Sequence, residues 1–311
     1  MKYISFLFIL VGTFAIALEK NQAPAHSILG IRKLSKGLRL PSKETICLRL
    51  QLLDKILNND TEAAIDLLDN KKVNPNKAVA PYPTPLIQAI NQETDAFVPI
   101  LFKYANPDKY CWSISKYPIF EAIRLGKIDV LKLFIEKNAN LECTDSNFDT
   151  PLTYACSNFS PNINSLQIIM VLMQGGAKVH HQNEHRQTAL HLICTKDLFI
   201  AEQLIAAGAN INSLDRFKQT PLVKVVLAMS DSNNSTRLPQ LIATANLLLS
   251  KGADPDHTNK KGYSARSAAQ ETNITWIDFP PIKEPHETEQ IIICSKLEKL
   301  FYTHPGHSMD N

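Results

Sequence analysis

The chain contains no G-x-S-x-G, no Walker loop, no dinucleotide fingerprint and no C-x-x-C pair. The nucleophile elbow, phosphate cradle and paired-thiol centre that those spacings build therefore find no support in it. It also lacks a strong charge bias: 33 Lys and Arg against 30 Asp and Glu leave +3 at pH 7, with a pI near 8.4. That falls short of the basic excess of a dedicated nucleic-acid binder, and nucleic acid is not expected as the partner. Nor is there an unbroken apolar run as long as the ~20 residues that cross a bilayer. The amino-terminal run YISFLFILVGTFAIA stops at Ala17.

What is present is an internal repeat. A twelve-residue interval recurs six times between the close of one apolar helical stretch and the start of the next. It links Lys72 to Thr84, Ala105 to Tyr117, Asn138 to Thr150, Gly176 to Thr188, Gly208 to Thr220 and Gly252 to Ser264. Behind it stand TPLIQAI, YPIFEAI, TPLTYAC, TALHLIC, TPLVKVV and SARSAAQ, opening at 84, 117, 150, 188, 220 and 264. The Thr84, Thr150, Thr188 and Thr220 hydroxyls can each accept a bond from an orphan N–H of the first helical turn, and Pro85, Pro151 and Pro221 suit the first helical position. Ala89, Ala122 and Ala155 leave room for close helix packing. The second-helix runs IDVLKLFI, QIIMVLM and FIAEQLI are too apolar for one-sided surface helices, and stacked repeats would cover them. Gly176, Gly208 and Gly252 stand where a left-handed residue ends a helix.

The T-P-L-x-x-A element at a period near 33 resembles the ankyrin repeat, over about residues 44 to 303. The resemblance implies an all-α ankyrin-repeat solenoid of about seven helix-turn-helix units with β-turn fingers, opening near 51, 84, 117, 150, 188, 220 and 264. The expected division is a signal peptide at 1–17, a basic linker at 18–43, the array at 44–304 and a disordered tail at 305–311. Five residues beyond the family spacing fall around 157 to 164 and eleven around 229 to 240, both placed in the turn between first and second helices. A last helix at 288 to 304 is expected to close the array.

The finger tips depart from the family's D-x-x-G-x-T. Only Gly262 keeps the glycine, and the equivalent places hold Tyr82, Ser115, Phe148, Arg186 and Lys218. Aromatic residues stand at or near the tips. Tyr82, Tyr110, Trp112, Phe148, Phe217 and Tyr263, with His185, are the candidate contacts for a protein partner, since aromatic and Arg side chains dominate such interfaces. The competing reading folds each ring back on the neighbouring finger. His180, His181, His185 and His191 fall within twelve residues, but not at H-E-x-x-H spacing, and His191 has an ordinary role as the histidine of TALHL. No metal, cofactor or catalytic residue is expected.

Met1 and Lys2 lead the amino-terminal run, which ends in Ala15-Ile16-Ala17, a small-x-small pattern before a cleavage point. A cleaved secretory signal is one reading, an uncleaved anchor the other. From Asn21 to Lys43 the chain carries Arg32, Lys33, Lys36, Arg39 and Lys43 without an acid, interleaved with Ile28, Ile31, Leu34 and Leu38. That segment reads either as a membrane-surface helix at 28–43 or as a linker against the first repeat. Cys156 and Cys194 take equivalent places on neighbouring first helices, spaced at about 8–10 Å, beyond disulfide reach. Cys111 and Cys143 sit in successive fingers and could approach. An exported, monomeric, non-enzymatic module that binds a host protein follows from joining a bacterial-looking signal to this family. A periplasmic or membrane-associated scaffold serving its own cell is the alternative.

Overall fold

The computed structural model describes residues 42–79, 82–111, 116–230, 236–271 and residue 277. The expected signal peptide, most of the basic linker, Trp112, the last helix and the tail lie outside the described residues. Apart from one isolated bridge between Cys111 and Lys116, every regular element among the described residues is a helix.

The helices come in pairs: α1 (Lys43–Leu57) with α2 (Thr61–Asp69), α3 (Pro85–Ile90) with α4 (Phe97–Leu101), and α5 (Pro118–Arg124) with α6 (Ile128–Glu136). Next come α7 (Pro151–Ser157) with α8 (Ile163–Gln174), α9 (Ala189–Ile193) with α10 (Leu198–Ala206), and α11 (Pro221–Met229) with α12 (Leu238–Ser250). The first helix of the last unit is α13 (Ala265–Glu271). First helices pack in file, each from α1 to α11 against the first helix of the next unit. One apolar core runs through them, from Leu52 and Ile56 by way of Phe97, Phe134 and Ile169 to Leu248 and Ala268. A file of units that each touch only their neighbours is a solenoid.

Helix ends follow the residues at the two limits of the twelve-residue interval. Lys72, Asn138, Gly176, Gly208 and Gly252 all have positive φ, from 49° to 93°. At the other limit Thr150, Thr188 and Thr220 accept bonds from the N–H groups of Thr153, His191 and Val223, at 3.4, 3.5 and 3.3 Å. Ser264 accepts from Ser267 N at 3.1 Å. Thr84 departs from the expectation: its hydroxyl makes no capping bond and is buried without a hydrogen-bond partner. Its φ, ψ of −64°, 151° differ from the −73° to −87°, 163° to 167° of the other three threonines.

At the N-terminus of α9 a histidine completes a reciprocal cap. The Thr188 N–H, which can only donate, reaches His191 Nδ1 at 3.2 Å, so Nδ1 is the unprotonated nitrogen. Nε2 then carries the hydrogen and donates to Gln219 O at 3.1 Å, tying this helix to the following finger. Burial pushes the imidazole down from 6.5 to about 4. A proton on Nδ1 would also destroy the acceptor that the cap uses.

Two expectations are corrected by the helix limits. The first unit does not open near 51. Its first helix starts at Lys43 behind Ser42, whose side chain caps it, and Gln51 lies mid-helix. The insertions are not confined to the turns. In the unit opening at Thr150, part of the extra length goes into α8, which has 12 residues against 9 in α6 and 9 in α10. In the unit opening at Thr220, α12 has 13.

Cations close the other ends of three first helices. Lys127 Nζ reaches Gln92 O at 2.5 Å and Lys196 Nζ reaches Cys156 O and Ser157 O at 3.0 and 2.6 Å. Arg237 reaches Thr195 O. A cation there meets orphan carbonyls and the negative end of the helix dipole. Cys143, Cys156 and Cys194 are free buried thiols, with burial raising them to about 12, 12 and 11. The approach of Cys111 to Cys143 is thus not a disulfide.

Two predictions follow from the caps. Thr150→Val should cost about 1 kcal/mol in urea unfolding, whereas Thr84→Val should cost nothing or stabilise, because it removes an unpartnered hydroxyl. As pH falls from 6.5 to 4, the unfolded chain takes up a proton that folded His191 refuses, so stability is lost through that window and levels off below it. The loss reaches about 3 kcal/mol. His191→Gln, which keeps an acceptor for the cap, should flatten that part of the profile.

Candidate functional site at the finger tips

Each of the last four fingers folds round one side-chain oxygen. Asp145 Oδ1 accepts from the N–H groups of Asn147 and Asp149, at 2.8 and 2.9 Å. Asn183 does the same for His185 and Gln187, Asp215 for Phe217 and Gln219, and Asn259 for Lys261 and Tyr263, all between 2.8 and 3.1 Å. The backbone closes the same loops, with Asp145 N to Asp149 O at 3.0 Å, Asn183 N to Gln187 O at 3.1 Å and their two counterparts. Asn and Asp are suited to this because a short side chain can bond the backbone two residues on.

Such a turn requires a left-handed residue before its close. Phe148, Arg186, Lys218 and Gly262 supply it, with φ of 57°, 57°, 58° and 82°. For a residue with a Cβ that conformation costs about 1–2 kcal/mol. Three of the four tips therefore keep a strained side chain where glycine would fit. The side chains at these positions are exposed.

Adjacent fingers are stitched tip to tip by single backbone bonds. Glu184 N donates to Asn147 O, Arg216 N to His185 O, and Lys260 N to Phe217 O, each at 2.9 Å. These bonds bring Phe148, His185 and Phe217 onto one continuous edge. Arg216 spans two fingers: its guanidinium meets His185 Nδ1 at 3.0 Å and lies 4.7 Å from the centre of the Phe217 ring. His181 Nε2 bonds Phe148 O at 2.7 Å.

The aromatic candidates divide. Phe148 is 59% exposed, Phe217 48% and Tyr82 45%. Tyr110 is half-buried, edge-on to Tyr117 with centroids 4.9 Å apart, and Tyr263 is also half-buried. Tyr110 thus folds back, but onto Tyr117 at the close of its own finger and not onto a neighbouring one. Tyr82 and Tyr110 belong to the two fingers before that of Phe148, away from the stitched edge, and Trp112 lies outside the described residues. The histidines disperse, with His191 in its cap, His181 on a finger backbone and His185 on Arg216. Among the described residues no three His, Cys, Asp or Glu side chains gather so as to hold a metal ion.

Sequence reasoning passed over the basic residues of the same edge. Arg186, Arg216, Lys218, Lys260 and Lys261 are all exposed at the tips. Their signal was the recurrence of a cation at equivalent finger positions. Away from the tips, a concavity of about 410 Å³ lies where Arg124 and Gly126 at the end of α5 face Tyr154, Asn158 and Asn162 around the lengthened α7–α8 turn. Phe148→Ala should change stability by no more than about 0.5 kcal/mol, while Tyr110→Ala should cost about 1 kcal/mol or more by losing its ring contact, both read from thermal unfolding.

Residues 119–163 match the family described as ankyrin repeats in many copies, and residues 185–216 match the single ankyrin repeat. Among solved structures, an ankyrin repeat domain from Acinetobacter baumannii aligns with a TM-score of 0.53 at 22% identity, over 62% of this chain and 94% of that one. No curated protein matches the chain. The fold is an ankyrin-repeat solenoid.

Proposed function

We propose that this chain is an exported protein-binding module that acts as a monomer on a host protein and takes its partner on the finger edge. The observation that carries the binding reading is the exposure of Phe148 and Phe217, at 59% and 48%, on fingers whose backbones are bonded together. The Phe148 ring is held on a left-handed backbone with most of its surface in water, an arrangement the fold does not reward. Buried against a partner it would gain about 1.5–3 kcal/mol. Rigid fingers also lose little entropy on binding.

The export reading rests on Met1-Lys2, the uncharged run behind them and Ala15-Ile16-Ala17. Burial raises the thiols of Cys143, Cys156 and Cys194 and shields them from oxidation, whereas Cys47 is exposed and would be the thiol open to an oxidising space. Contact of residues 28–43 with an anionic membrane surface would be an accessory to this role.

Protein recovered from the medium of its source cell should begin at Leu18 in amino-terminal sequencing, whereas an intact Met1 would remove the cleaved signal. Phe148→Ala combined with Phe217→Ala should weaken capture of the host partner at least about tenfold, as for paired hot spots. Unchanged capture would remove the finger edge from the reading.

A further inference from the structure

The tips of the last three fingers carry a charge that the chain as a whole does not. Positions 184–187, 216–219 and 260–263 hold Arg186, Arg216, Lys218, Lys260 and Lys261 against Glu184 as their single acid. All five cations are exposed, and among the described residues Arg186, Lys218, Lys260 and Lys261 enter no ion pair. In the finger just before them the sign reverses: positions 138–150 hold Glu142, Asp145 and the buried Asp149 with no Lys or Arg. The boundary is marked by Phe148.

From this juxtaposition we infer that the partner segment is an extended acidic peptide, with an apolar side chain against Phe148 and carboxylates running over the tips at Arg186, Arg216, Lys218, Lys260 and Lys261. This rests on the reading of the finger edge as the partner surface and adds the partner's chemistry. Spacing fits: packed helices set neighbouring units about 8–10 Å apart, and an extended strand rises about 3.3 Å per residue, so every third residue meets a new finger. Arginine offers a carboxylate two parallel hydrogen bonds, and Arg216 is already positioned by His185 and the Phe217 ring. Glu142 and Asp145 of the finger that carries Phe148 would repel a uniformly charged phosphodiester chain at that end of the basic tips. A peptide whose acids are confined to one end avoids that repulsion.

The strain at the tips makes the inference separable from a structural role. Arg186 and Lys218 hold left-handed backbones at φ 57° and 58°, so Arg186→Gly and Lys218→Gly should leave the thermal midpoint unchanged or raise it. If the side chains serve binding, the same changes lower affinity. Selection of a random linear peptide library on the full chain should enrich sequences with Asp or Glu about every third residue behind an apolar one. Affinity for an enriched peptide should fall at least about tenfold in the Arg186→Gly, Lys218→Gly double variant, as loss of charge-assisted hydrogen bonds requires. Enrichment of neutral peptides would overturn the acidic inference and leave the binding module standing. No enrichment at all would overturn both. Tighter binding of an oligothymidylate of equal charge would assign the tips to nucleic acid, and an unchanged affinity in the double variant would remove Arg186 and Lys218 from the surface.

Discussion

The fingers depend on a single kind of interaction, one side-chain oxygen that holds two backbone N–H groups. Asp145, Asn183, Asp215 and Asn259 each perform it, and Asn183, Asp215 and Asn259 do so while buried. Without that acceptor the N–H groups in the turn would face a crowded edge with no partner, and unpaired buried donors cost about 1–3 kcal/mol each. With it, the last four fingers share one length and a left-handed residue at the same place. The bonds from one tip to the next can then form at 2.9 Å three times in succession. The oxygen is common to Asp and Asn, which explains why the two alternate. Their second arms fare differently: Asn183 Nδ2 reaches Asp149 Oδ1 at 3.1 Å, whereas Asp215 Oδ2 is buried without a partner.

Stacking of the helices obeys a separate set of constraints. Small residues such as Ala89, Ala122 and Ala155 sit at or near zero exposure, where first helices meet their own second helices and their neighbours. The cations at Lys127, Lys196 and Arg237 tie the end of one first helix to the following unit. Length variation follows from this division. Fingers cannot grow without breaking the tip bonds. The far side of the array bears no such ladder, so α8 and α12 lengthen there, and in one case a concavity opens beside Arg124 and Tyr154.

The strained tips change how the surface is read. Glycine is the low-energy solution at the left-handed position, and only Gly262 adopts it. Phe148, Arg186 and Lys218 depart from it in three successive fingers, and strain of this kind persists where a side chain has work to do. One apolar tip followed by basic ones gives the edge a direction. That polarity distinguishes it from a uniformly sticky or uniformly charged patch.

Much of this was legible in the sequence because the repeat is a local grammar. Thr150, Thr220 and their prolines announce helix starts, Gly176 and Gly208 announce helix ends, and a twelve-residue finger between them admits few backbone paths. The sequence by itself thus determined the phase of the units from Thr84 onward, the place of the fingers and the candidate aromatic residues. What only the tertiary structure decided were the terms that depend on neighbouring units. Tyr110 turns against Tyr117 while Phe148 stays in water. Thr84 fails to cap although its sequence matches its siblings, and the first unit opens at Ser42 instead of near 51 because an end unit has no preceding finger to set its register. The basic edge also belongs to this class. Arg186, Arg216 and Lys260 lie 30 and 44 residues apart in the chain, and only the bonds between successive tips make them one surface.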